Sequence, residues 1–182
     1  ARLPGRVLYI SYDGMLEPLG ESQVVSYLER LARDAEVTLL SFEKPRDLRD
    51  RDRAKRMRAR LEAAAIRWMP LRYHKVPPVL STLFDVVCGL WCALRGSLRG
   101  GPTVAHARGY VPALIALSLK RLTGAAFLFD MRGFWVDEKV EAGHWRPGGA
   151  LYRVGKWCER RFFESADAIV SRFFRDHRSL GP

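Results

Sequence analysis

Residues 6–32, RVLYISYDGMLEPLGESQVVSYLERLA, begin with a short β-branched and aromatic run, cross a loop bounded by Gly14 and Gly20, and continue in a helical pattern. Val7, Leu8, Tyr9 and Ile10 are apolar at successive positions, so an extended chain here is apolar on both faces, as in a strand covered on both sides. From Ser22 onward Val24, Val25, Tyr27, Leu28, Leu31 and Ala32 recur at helical spacing, with Glu29, Arg30 and Arg33 off that face. Strand, long loop and amphipathic helix make one βα unit, and the alternation continues. Strands are expected at Glu36–Phe42, from Ile66, at Thr103–His106, Ala125–Asp130 and Ala168–Ser171. Helices are expected at Asp47–Ala65, Val79–Arg99, Val111–Leu122 and Leu151–Glu164, with a loop from Met131 to Gly149. This pattern predicts an α/β fold: a doubly wound, mainly parallel, Rossmann-like sheet with helices on both faces and ligands at the carboxyl ends of its strands.

The 182 residues, 48% of them hydrophobic, suit a single domain over 1–182. The net charge of +11 favours anionic partners, among them nucleic acid, phosphorylated small molecules and an acidic membrane face. Nucleic acid is set aside because no helix-turn-helix, zinc finger or RNP-like strand is visible. Cys88, Cys92 and Cys158 have no framework spacing and read as free thiols in a reducing, cytoplasmic compartment, with no metal site expected. The N-terminal apolar run is too short for a signal peptide. The apolar stretch Val76–Leu94 contains Pro77, Pro78 and Asp85, which argues against a membrane span. The helix over Val79–Arg99 carries Leu80, Leu83, Phe84, Val87, Leu90, Trp91 and Leu94, with Arg95 and Arg99 at its end. A core helix is the preferred reading; the other is a helix whose outer side leans on an anionic membrane, at the inner face, with Arg heads toward lipid phosphates.

Three loops at strand ends carry the candidate chemistry. In the first, Gly20 lets a phosphate or a bulky group approach the main chain; the plainer reading is that Gly20 and Ser22 start a helix, with Ser22 as cap. Gly14 and Gly20 lie six apart and do not form the G-x-G-x-x-G of a dinucleotide site, although Glu43 stands where a ribose-binding acid would. After strand four come His106 and Arg108. His106 either touches a polar substrate or is a satisfied histidine under the loops. Arg108, near a helix start, gains nothing from the helix dipole and implies an anionic ligand or an acidic neighbour. After strand five, residues 130–138 (DMRGFWVDE) crowd acids, Arg132 and two aromatic rings together. Rings that stack on pyranose faces beside charged groups that bond hydroxyls suit a sugar site; the alternative is a surface loop pinned by Phe134 and Trp135. His144 and Trp145 read as incidental.

RVLYISYDGMLEPLGESQVVSYLERLA, then VAHARGY at 104–110, FLFDMRGFWVDE at 127–138 and YRVGKWCERRFFESADAIVS at 152–171, together resemble the N-terminal half of family-four glycosyltransferases of the GT-B fold, from Arg6 to Ser171. The resemblance implies two Rossmann-like domains across a cleft, this one holding a sugar or lipid-linked acceptor and a C-terminal one, absent from this chain, holding the nucleotide-sugar donor. This domain alone is then expected to be inactive, and the whole enzyme to transfer a sugar with retention in glycan or glycoconjugate synthesis, without a metal or other cofactor. It further implies that Gly20 lies nearest the donor diphosphate, that Glu21, Ser22 and Gln23 help form the acceptor pocket, and that His106 and Arg108 line the cleft. Arg132 stands where many relatives carry a His; with His106 it is the catalytic candidate, able to stabilise a phosphate but not to act as a base. Gly133 and Trp135 fall beside it in the substrate site, and Glu138 is the candidate for an acceptor hydroxyl. Two other readings stand: a binding module for a sugar, nucleotide or acidic lipid, and a dinucleotide-dependent enzyme.

Overall fold

The computed structural model describes residues 5–97 and 100–171. The expected ends of the domain, 1–4 and 172–182, and Arg99 as the close of the long apolar helix, lie outside the described residues. Each doubly apolar run forms a strand: β1 (Gly5–Ser11), β2 (Ala35–Glu43), β3 (Arg67–Arg72), β4 (Val104–Arg108), β5 (Ala126–Met131) and β6 (Ala168–Ser171). All pair in parallel, in the order β3-β2-β1-β4-β5-β6. The chain leaves β1 toward one edge and returns to build β4 on its other side, so the connections diverge between β1 and β4. In such a sheet that gap is where a crevice opens at the carboxyl ends.

Alternation along the strands sorts side chains into two cores. Leu8, Ile10, Leu40, Phe42, Ala105, Ala107, Phe127 and Phe129 face α5 (Tyr110–Thr123) and Phe162 of α7 (Ala150–Ser165). Tyr9, Val37 and Leu39 face the other layer, built from Val24, Val25, Leu28, Met57 and Leu61. That layer comprises α1 (Ser26–Leu31), the turn leading into it, and α3 (Arg51–Ala63).

Four local expectations are corrected. The helix after β1 opens with a π-helical turn, Gly20–Val25, where no side chain caps and Ser22 is exposed. The charged helix divides into α2 (Pro45–Arg49) and α3, because the Asp50 carboxylate accepts from the Arg53 amide at 3.0 Å and starts a new helix. The 131–149 segment contains α6 (Trp135–Glu141), which buries only Val136 and so carries almost no apolar periodicity. Finally, α4 (Pro78–Ser97) is a core helix on one side only. It buries Ser81, Asp85, Gly89 and Ala93 and packs Val86, Leu90 and Leu94 partly against the larger core, while Val79, Leu80, Leu83, Phe84, Val87 and Trp91 face outward.

Phe129 sits at the centre of the larger core, with ring centroids 5.5 Å from Phe162 and 6.2 Å from Phe127. Phe129→Ala is expected to lower unfolding free energy by about 3–5 kcal/mol in urea titrations.

Candidate functional site

The crevice begins with the loop after β1. Glu43, at the end of β2, has no exposed surface. Its carboxylate accepts from the Met15 amide at 2.9 Å, the Leu16 amide at 3.1 Å and the Ser41 hydroxyl at 2.6 Å, and Ser41 Oγ accepts from Trp68 Nε1 at 2.9 Å. Burial pushes the Glu43 carboxyl above its usual range, and these donors oppose that push. The two glycines follow from this anchor. A Cβ on Gly14 would stand 2.7 Å from Glu43 Oε2, and one on Gly20 would overlap the Gly14 carbonyl and lie 2.9 Å from Met15 Cα. The loop's own backbone therefore requires a glycine at position 20. Glu43, in turn, is a loop anchor and not a ribose ligand.

Parallel register aligns Ser11 with Arg108 and Arg108 with Asp130 at the carboxyl edge. Around them Asp13, Gln23 and Arg132 converge. Arg108 donates from Nη2 to Gln23 Oε1 at 2.8 Å and lies 3.8 Å from Asp13 and 3.7 Å from Asp130. Its side chain is 9% exposed, and its buried Nε finds no hydrogen-bond partner among the described residues. Arg132 reaches the same Asp13 oxygen at 2.5 Å with both side chains nearly half exposed. The acidic neighbour that Arg108 implied is thus present, and Asp13 is the residue the sequence reading missed. Its one signal was a carboxylate directly after a doubly apolar strand.

His106 sits one step deeper. Its ring centroid is 4.5 Å from Tyr9 and 5.9 Å from Tyr27, it is 5% exposed, and its Nε2 is buried without a partner among the described residues. Burial first, and the Arg108 charge second, hold its pKa down at about 4. This corrects the expectation that its imidazole lines the cleft: it is a neutral ring beneath Arg108. Glu21 is drawn aside as well, pairing at 3.3 Å with Arg60, which also binds Glu29.

The loop after β5 forms a neighbouring cluster. Gly133 is buried under the Glu138 carboxylate, and its carbonyl accepts from the Tyr110 hydroxyl at 3.3 Å. Tyr110 also donates to Glu159 at 2.6 Å; burial and that carboxylate push the phenol far above its normal range. Lys156 joins Glu159 at 2.8 Å to Asp137 at 2.6 Å. Trp135 lies between Tyr110 and Trp145, with centroids 5.7 and 5.1 Å away, so Trp145 is a support rather than incidental. The exposed ring beside Arg132 is Phe134, at 49%. Cys88, Cys92 and Cys158 are free, and among the described residues no three His, Cys, Asp or Glu side chains are grouped to hold a metal ion.

A family model described as "Glycosyl transferase 4-like domain" matches residues 20–177. No curated protein matches the chain. Among solved structures it is similar to MurG of Acinetobacter baumannii, at 12% identity and a TM-score of 0.52, over 92% of this chain and 41% of that one. It is also similar to AtPrR2 in apo form, at 16% identity and a TM-score of 0.38, over 68% of this chain and 37% of the other. The chain spans about two fifths of the length of MurG. At this identity the MurG likeness is one of fold: the parallel Rossmann-like sheet of one GT-B half.

Two stability measurements check this arrangement. Glu43→Ala leaves two buried amides and the Ser41 hydroxyl without their acceptor and is expected to cost about 3 kcal/mol or more, read as a fall in melting temperature. His106 supplies a pH signature. The unfolded imidazole takes up a proton near its model value of 6.5 and the buried one only near 4, so between those values the unfolded state binds more protons. Stability therefore falls as pH drops through that window, by up to about 3 kcal/mol, and His106→Gln is expected to flatten this part of the profile.

Proposed function

The chain belongs to the glycosyl transferase 4-like domain family, and from that premise we propose that it is the acceptor-side domain of a nucleotide-sugar-dependent glycosyltransferase. The complete enzyme carries a second Rossmann-like domain that supplies most donor contacts and transfers the sugar with retention, in glycan or glycoconjugate synthesis. The acceptor is a sugar or a lipid-linked sugar, and the domain by itself is inactive.

The observation that carries this reading is the convergence of two guanidinium groups on Asp13 at the divergence point of the sheet. They differ in kind. Arg108 is buried and oriented by Gln23, so it presents a fixed charge without reorganisation when phosphate charge arrives. Arg132 and Asp13 form an exposed pair of the sort worth at most about 1 kcal/mol, so a ligand can part them at little cost. Parted, Arg132 can turn to a diphosphate while Asp13 accepts from an acceptor hydroxyl. Phe134, half-exposed two residues after Arg132 and with Lys156 Nζ 5.6 Å from its ring centroid, is the aromatic side chain a sugar would meet.

The test is a screen of nucleotide-sugars against sugar and lipid-linked acceptors with the complete enzyme, followed by variants. Arg132→Ala is expected to lower turnover by about 100-fold, with melting temperature nearly unchanged because the side chain is exposed. Arg132→Lys should retain more activity than the alanine variant. No transfer from any nucleotide-sugar, or undiminished turnover in Arg132→Ala, would overturn the proposal.

A further inference from the structure

The largest feature left unused by the crevice is the outer side of α4. Its inner stripe is locked into the fold. Gly89 leaves so little room that a Cβ there would stand 2.6 Å from Ile115 Cδ1. Asp85 is buried, with Oδ1 2.6 Å from His74 Nδ1 and Oδ2 accepting from the Tyr12 hydroxyl at 2.8 Å. The opposite side carries Val79, Leu80, Leu83, Phe84, Val87 and Trp91, each 55–66% exposed. Burying such side chains is worth about 1.5–3 kcal/mol apiece, so leaving six of them against water calls for a covering partner.

The charge around this face says which partner. Between Arg72 and Gly96 the one acid is Asp85, and it is buried. The exposed surface is therefore apolar, with cations at its two ends. Arg72 and Lys75 line a concavity with Arg46 and His74 before the helix starts, and Arg95 stands near its end with its guanidinium 4.9 Å from the Trp91 ring centroid. By helical rise those ends are about 30 Å apart. A second copy on this face would bring cations against cations or leave them over apolar surface. A plane of anionic headgroups over hydrocarbon matches the whole surface at once: charge at both ends, side chains of intermediate depth between them, and a Trp–Arg pair of the kind that settles at such interfaces. By length and composition alone, α4 could also cross a bilayer. Its packing against α5 and the buried Asp85 network are incompatible with that unless the domain opens.

We infer that the outer face of α4, with Arg72, Lys75 and Arg95, docks this domain onto an anionic phospholipid surface with the helix lying parallel to it. The docking is independent of the crevice chemistry and can be read without donor or acceptor, so its failure leaves the glycosyl-transfer proposal standing, and the reverse holds as well.

Co-sedimentation with vesicles of phosphatidylcholine and phosphatidylglycerol, two to one, tests it against vesicles of phosphatidylcholine alone. The protein is expected to bind the anionic vesicles at least about tenfold more tightly at low salt and to release as salt rises. Leu83→Glu/Phe84→Glu and, separately, Arg72→Glu/Lys75→Glu are each expected to weaken binding by about tenfold or more. Both pairs are exposed, so unchanged melting temperatures establish that the variants are folded. Vesicles should shift Trp emission to the blue in the parent protein and markedly less in Trp91→Phe. Binding that ignores lipid charge, full binding by the Leu83→Glu/Phe84→Glu variant, or a solution dimer that this variant converts to monomer would each overturn the inference.

Discussion

A carboxylate with no exposed surface, Glu43, sets the course of the chain after β1. Buried amides need acceptors, and Met15 and Leu16 find theirs in this one side chain, itself steadied by Ser41 and, through Ser41, by Trp68. In a low-dielectric interior such a network is strong when complete and costly when broken. The close approach it enforces leaves no room for a side chain at Gly14 or Gly20. Asp13 precedes the anchored stretch and Gln23 follows it, so the place where both arginines meet Asp13 is fixed from β2.

The charge pattern beneath the crevice is correspondingly simple. Tyr9 is held neutral, its pKa pushed up to about 12 chiefly by burial, and His106 is neutral because burial and Arg108 both disfavour its proton. Arg108 is then the cation in that layer, oriented by Gln23 and facing Asp13 and Asp130. One buried arginine and one half-exposed arginine thus meet the same carboxylate.

The strands and their parallel order were legible because runs apolar on both faces have few other solutions. The resemblance read from Gly20–Gln23 and Asp130–Trp135 agrees with the family match over residues 20–177. Other features were hidden for physical reasons. Nothing local marks Glu43 as an acceptor for amides 27 and 28 positions away. His106 reads equally well as a ligand or as a filler until Tyr9 and Tyr27 close over it. α6 escaped because a short helix that buries one residue has no period to detect.

α4 marks the division most clearly. Its residues established a long apolar helix, the strands established a doubly wound sheet, and the strand-end loops established where charge and aromatic rings would gather. Which side of α4 meets the core was decided only by packing, since small Gly89 and Ala93 and the partnered Asp85, flanked by Leu90 and Leu94, fit closely against α5 and the loops. Which of the strand-end residues share one site was likewise decided by register and by Glu43. Both decisions rest on contacts between residues far apart in the chain, and helical spacing or strand alternation carries no record of those.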